Sequence, residues 1–236
     1  LVIIKREMSG QKINKKLFQD RKRTNILSNP EQKFISYLVP RIPNWISSDG
    51  LTAIGLFGSV MIMASFILAQ YCDINYLLLG ILGFFIQWFG DSLDGRIAFY
   101  RNKSRKWYGF SLDIVMDWIS TVLIGLGYVF YAKGNFELTG FVLVALYGWA
   151  MILSLLRYKV TDKYTIDAGI VGPTEIRVII CLVLLIEVFF VGAIHYLVMG
   201  ICAILFVINS IDTKKLLDLG DIRDAEEKKT KESENL

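Results

Sequence analysis

Residues 91–117 read DSLDGRIAFYRNKSRKWYGFSLDIVMD, and they carry four aspartates, Asp91, Asp94, Asp113 and Asp117, together with Gly95, Ala98 and Gly109. Asp91 and Asp94 fall near the end of one apolar run, and Asp113 and Asp117 fall near the start of the next. A basic loop joins the two runs. A carboxylate inside a membrane segment costs roughly 3 kcal/mol on insertion scales. Four of them in adjoining runs therefore mark a functional site. Asp91 and Asp94 are three residues apart and share one helix face, and Asp113 and Asp117, four apart, share another. If the two helices form an antiparallel pair, all four carboxylates converge at one membrane surface.

The rest of the chain supports a membrane setting. Of its 236 residues 54% are hydrophobic, and the mean hydropathy is +0.47. Both values are too apolar for an ordinary soluble domain. Six apolar runs, at 51–71, 75–98, 109–132, 137–158, 175–193 and 195–212, each approach the roughly 20 residues needed to cross the hydrocarbon. Backbone in lipid must satisfy its own hydrogen bonds, so continuous runs are helices; a β-barrel would show alternation instead. A tight turn near residues 192–195 joins the last two runs.

Charge sets the orientation. The loops 72–75, 133–136 and 193–195 together hold one basic residue, Lys133. All the other Lys and Arg of the 26 lie in the N-terminal arm, the 96–106 loop, the 157–177 region or the C-terminal tail. The positive-inside rule then places both termini in the cytosol, at the inner membrane if the source is bacterial. The expected class is an all-α polytopic membrane protein, with six helices around a polar cavity open to the cytosol. Residues 1–48 are expected to be a cytosolic arm ending in a juxtamembrane amphipathic segment, which Pro40 and Pro43 interrupt. Residues 49–213 form the catalytic membrane domain and 214–236 a charged, solvated tail. No cleavable signal peptide is expected, because the first 30 residues lack a central apolar region. The three cysteines show no metal or disulfide spacing.

Four converging anions need a positive partner, the more so because Asp91 and Asp94 sit at a helix C-terminus, where the dipole disfavours negative charge. Oxygen-only ligands suit hard divalent ions such as Mg²⁺ or Mn²⁺ rather than zinc. The one histidine, His195, falls at the opposite side. Metal-bound carboxylates at a cytosolic surface suit phosphoryl chemistry. The small residues Gly95 and Ala98 would let a ligand approach the helix backbone, and Gly109 would let the third helix start close to the second.

This stretch resembles the signature of the CDP-alcohol phosphotransferase family, D-x2-D-G-x2-A-R-x8-G-x3-D-x3-D. Asp91, Asp94, Gly95, Ala98, Gly109, Asp113 and Asp117 match it. Upstream, residues 43–47 (PNWIS) are similar to a Pro-Asn-x-Leu-Thr element that often precedes the first span of the family. The chain departs from the pattern in two places: Phe99 stands where the arginine is expected, and the gap to Gly109 is one residue longer. Arg96 or Arg101 is expected to replace the missing cation, with Arg101 preferred because on an ideal helix it lies nearer the face of Ala98 and Asp94.

The resemblance implies transfer from a CDP-alcohol donor to an alcohol acceptor, with release of CMP. It implies a two-metal centre of Mg²⁺ or Mn²⁺ on Asp91, Asp94, Asp113 and Asp117, with Asp117 also acting as the general base. It implies a nucleotide site of Asn44, Gly95, Ala98, Arg101 and Gly109. Arg157, Glu175 and Arg177 are expected near the acceptor, although the two arginines also read as positive-inside anchors and Glu175 as part of a helix cap. Membrane lipid and a second copy of the chain are the implied partners, and no nucleic acid is expected. Two donors fit: CDP-diacylglycerol giving a phosphatidyl group to a polar alcohol, or CDP-choline or CDP-ethanolamine giving its head group to a lipid alcohol. The compact six-span chain leans to the first. Residues 172–175 (GPTE) resemble a Gly-Pro-x-Glu element of the second branch. A catalytically silent lipid-binding homologue, with Phe99 as its mark, and a divalent-cation transporter are the readings of another class. Glu187, in the middle of the fifth run, must find a partner or a proton.

Overall fold

The computed structural model describes residues 27–161 and 173–234. The arm at 1–26 and Gly172 lie outside the described residues. Seven α-helices make up the described chain, and no strand occurs among these residues. They are α1 (Ser28–Leu38), α2 (Ser48–Tyr71), α3 (Leu77–Tyr100), α4 (Lys106–Tyr131), α5 (Glu137–Thr161), α6 (Pro173–Phe189) and α7 (Ala193–Glu234). The protein is an all-α polytopic membrane protein. Five stretches, Ser48–Tyr71, Ile74–Tyr100, Lys106–Tyr131, Gly134–Thr161 and Ala193–Glu232, are long and apolar enough to cross a membrane. The fifth expected run forms α6, which has only 17 residues, about 26 Å of helical rise and at the short end of the spanning range. Large apolar side chains such as Phe57, Phe85, Phe141 and Ile204 are exposed on the isolated chain. That is the surface of a bundle whose solvent is lipid.

Local chemistry sets the helix ends. The side chain of Ser47 caps α2 by accepting from the Gly50 N–H at 3.0 Å. α3 ends at Tyr100, and just beyond it Asn102 takes a left-handed φ of +54°. The Lys103 N–H then reaches back to the Ala98 carbonyl at 2.8 Å, closing the helix end. Pro40 sits in a 3-10 turn, Val39–Arg41, that ends the juxtamembrane helix.

The packing corrects one expectation. α3 and α4 are not a packed pair: each lies against α2, and they barely touch one another. α2 and α3 approach at glycines. A Cβ on Gly90 would lie 2.4 Å from the Gly55 nitrogen and the Leu51 carbonyl oxygen, and one on Gly58 would lie 2.5 Å from the Gln87 nitrogen. Such contact between backbones substitutes for the hydrophobic drive that lipid removes. A Cβ on Gly109 would meet no atom within 4 Å, so this glycine does not serve a close approach of α4 to α3. The two acidic helices splay from a shared floor, and the cleft between them is the site. Beyond it, α5 packs on α4 and α7, and α6 packs on α3 and α7.

Two further features differ from simple expectation. α7 runs unbroken from Ala193 to Glu234, 42 residues in all, and so crosses the expected boundary at 213/214 without a break. Arg223 joins this extension to α5 by donating to the carbonyls of Lys159 and Val160 at 2.8 and 2.7 Å. Glu187 is fully buried and acts as a staple. Its Oε1 accepts from the Tyr131 hydroxyl at 2.5 Å and the Gly192 N–H at 2.7 Å, and its Oε2 accepts from the Ile194 N–H at 2.8 Å. Gly192, at φ +96°, makes the turn into α7 that brings those N–H groups round. Glu187→Ala is expected to cost about 3 kcal/mol, because three donors, two of them buried, lose a carboxylate acceptor together. A thermal midpoint in detergent equal to that of the wild type would show that the staple carries no stability; Glu187→Gln should fall between the two.

Candidate active site

α2, α3 and α4 bound a cavity of about 20 Å³, room for roughly one water-sized occupant. Its lining contains all four aspartates, with Thr52, Gly55 and Leu56 from α2, Gln87 from α3, and Met116 and Ser120 from α4. The aspartates therefore converge as the spacing predicted. They do so across α2 rather than across a direct α3–α4 contact.

Each carboxylate is held differently. Asp94 is 5% exposed. Its Oδ2 accepts from the Thr52 hydroxyl at 2.6 Å, and its Oδ1 from the Gly95 N–H at 2.5 Å. Its own carbonyl accepts from the Ser48 hydroxyl at 2.9 Å, so the start of α2 is sewn to the end of α3. Asp91 Oδ2 accepts from the Arg177 guanidinium at 2.5 Å, an ion pair that brings α6 into the site. Arg177 is mostly buried, with a side-chain exposure of 15%. Deeper in the cavity the Ser120 and Ser59 hydroxyls pair at 2.9 Å.

The donor set is all oxygen, as a hard divalent ion requires. Among the described residues no group of three or more His, Cys, Asp or Glu is arranged as a ready-made metal site. The oxygen chemistry of these four side chains fits such an ion, and the Arg177 guanidinium already sits on one of them.

The remaining expected residues divide into two sets. Asn44 is exposed in the turn before α2, close in sequence to Ser48. Gly95 faces open space, with no atom within 4 Å of where a Cβ would stand, so a ligand can reach the α3 backbone there. Arg101 donates to the carbonyls of Ile46, Pro43 and Ile42 at 2.6, 3.0 and 3.1 Å. It fixes the very turn that carries Asn44. Arg105 grips the same region through Asp49, with contacts of 2.6 and 2.8 Å. The bond to Asp49 raises the arginine's already high pKa. Arg157 is not at the cavity: it faces Asp212 on α7 at 3.6 Å. Glu175 accepts from the Leu27 N–H at 2.7 Å, a contact with the residue that leads into α1 rather than with the aspartates.

Thr52, Gln87 and Ser120 are site residues that the sequence reading missed. Their signal was present: Gln87 lies four residues before Asp91 and Ser120 three after Asp117, polar groups on the acidic faces of otherwise apolar runs. Thr52 lies on a different helix from the four cavity aspartates, and nothing in its spacing points to Asp94.

The family model described as CDP-alcohol phosphatidyltransferase matches residues 43–208, which includes all four aspartates. Among curated proteins the chain is similar to cholinephosphotransferase 1 of Xenopus laevis, at 25% identity over 162 residues, or 65% of this chain. The chain spans 39% of that relative's length.

Proposed function

The chain belongs to the CDP-alcohol phosphatidyltransferase family, and from that premise we propose that it transfers a substituted phosphate group from a CDP-alcohol to an alcohol acceptor in phospholipid synthesis, releasing CMP. The observation that carries the reading is the gathering of Asp91, Asp94, Asp113 and Asp117 on one cavity. These four carboxylates would hold a pair of Mg²⁺ or Mn²⁺ ions, whose charge, when bound, neutralises the donor's diphosphate and the leaving phosphate. Asp117 takes the proton of the acceptor hydroxyl. The acceptor oxygen attacks the β-phosphorus, the bond from that phosphorus to the bridging oxygen breaks, and CMP leaves with that oxygen. Gly95 and Ala98 give the cytidine access to the α3 backbone, with Asn44 in the turn that Arg101 holds. Both termini lie in the cytosol, where the nucleotide is.

CDP-diacylglycerol with a polar alcohol is the favoured substrate pair. The Arg177 guanidinium beside Asp91 supports it, since a buried cation at the acceptor side suits an alcohol that carries a phosphate. Two observations favour the other arrangement. The similar protein is a cholinephosphotransferase, and residues 173–175, which match the end of the Gly-Pro-x-Glu element, open the helix that carries Arg177.

The test is CMP release by the purified chain with Mn²⁺ or Mg²⁺. It uses CDP-diacylglycerol with a panel of polar alcohols, then CDP-choline and CDP-ethanolamine with diacylglycerol. Release with one pair names the substrates, and chelation of the metal should abolish it. No release with any pair would leave the silent lipid-binding homologue as the better account. Thr52→Val is expected to lower the turnover about tenfold, because a hydrogen bond to a charged group is worth about 1.5–3 kcal/mol. Thr52→Ser, which keeps the hydroxyl, should retain most of the rate; equal loss in both variants would mean that packing, not the bond to Asp94, matters.

A further inference from the structure

The match to the family begins at residue 43, so α1 (Ser28–Leu38) lies outside it. Yet α1 is tied into the wall of the site. Glu31 Oε1 accepts from the indole N–H of Trp88 on α3 at 3.2 Å and from the Thr174 hydroxyl on α6 at 3.0 Å. Phe34, three residues on, stacks on Trp88 at 5.8 Å between ring centroids. The Leu27 N–H, just before the helix, donates to Glu175 at 2.7 Å. Ile35 and Val39 are buried in a cluster with Leu51, Leu93 and Ile97.

The two helices that Glu31 joins are those that carry the Asp91–Arg177 ion pair. Trp88 lies three residues before Asp91, and Thr174 lies three residues before Arg177. On each helix the tied residue and the charged one share a face. One carboxylate oxygen thus fixes the separation of α3 and the first turn of α6 just where Arg177 must reach Asp91. We propose that Glu31 is a positioning residue: by bridging Trp88 and Thr174 it sets the Arg177 guanidinium against Asp91, and α1 is a working part of the acceptor side of the site. The inference rests on the phosphotransfer reading above for its kinetic consequence, though not for its structural one.

The two donors that form the bridge, the Trp88 indole N–H and the Thr174 hydroxyl, are neutral. The bridge needs an acceptor oxygen and does not need a charge. Glu31→Gln keeps such an oxygen on a side chain of the same length, and Glu31→Ala removes it. The expected result, with the full chain in detergent, is that Glu31→Ala raises KM for the acceptor about tenfold and leaves KM for the CDP-alcohol unchanged, while Glu31→Gln stays close to wild type. In parallel, amide hydrogen exchange over residues 173–180 should quicken in Glu31→Ala and stay at the wild-type rate in Glu31→Gln. Exchange there that is unaltered in Glu31→Ala overturns the bridge. Quickened exchange without the rise in acceptor KM overturns its role in the site. Failure of Glu31→Gln alongside Glu31→Ala would overturn the neutral-acceptor argument, and a rise in both KM values would mean general loosening instead. If the wild type releases no CMP from any donor, the phosphotransfer reading fails, and the exchange measurement still decides the bridge.

Discussion

Asp117→Asn is expected to lower CMP release by roughly 10²–10⁴-fold, the usual contribution of a positioned general base. Asparagine matches aspartate in size and keeps one carbonyl oxygen, so the fold should survive. It cannot accept the acceptor's proton at neutral pH, and it removes one of the four negative charges that line the cavity. Asp117 lies one turn from Asp113 and one turn from Ser120 on the same face of α4, and all three line the cavity. The measurement is turnover of the purified variant beside its thermal midpoint. Lost turnover with an unchanged midpoint assigns the carboxylate to the chemistry. Retained turnover would remove Asp117 as the base and direct attention to Asp113, the other carboxylate on that face.

The second large effect is on the fold. Gly90→Val should cost about 4 kcal/mol, at the upper end for overpacking, because the obstruction is backbone. The first added carbon alone falls 2.4 Å from the Gly55 nitrogen and the Leu51 carbonyl oxygen, and 2.6 Å from the Gly55 Cα. No rotamer change relieves contact with a neighbouring helix's main chain, so α2 and α3 must separate. Asp91 follows directly, so the acidic cavity would open with them. Loss of folded protein in detergent is the expected readout. Gly95→Ala is the control: a Cβ there meets nothing within 4 Å, and alanine in place of glycine within a helix gains about 0.5–1 kcal/mol. Its stability should hold or rise. Under the proposed function its affinity for the CDP-alcohol should fall, because the added methyl enters the space left for the cytidine. A stable, fully folded Gly90→Val would mean that the helices pack more loosely than these distances state.

Other residues separate what could be read locally from what could not. Ser47 could be read as a cap from its type and place, and Pro40 as a helix stop. Arg101 is different. Its position one turn after Ala98 pointed to phosphate, whereas its guanidinium bonds to three carbonyls of the turn at 42–46. Those acceptors are more than 50 residues away in sequence, and backbone carbonyls leave no trace in residue type. Arg157 and Arg177 looked alike as charges at span ends, yet one faces Asp212 and the other Asp91. Rotation of a helix about its axis decides between them, and packing sets that rotation.

By itself the sequence determined that this is an all-helical membrane protein, which family it belongs to, and that Asp91, Asp94, Asp113 and Asp117 form one group. Apolar run length, charge asymmetry and the spacing of the aspartates are properties of single segments, so they are written in order along the chain. Only the tertiary structure decided that α2, not a direct α3–α4 contact, forms the floor of the site. It alone gave Thr52 to Asp94, Arg177 to Asp91, Glu187 to the turn before α7, and Glu31 to Trp88 and Thr174. Those pairings depend on which faces meet when helices close on one another, and glycine contacts such as Gly55–Gly90 fix that closure between backbones rather than between side chains.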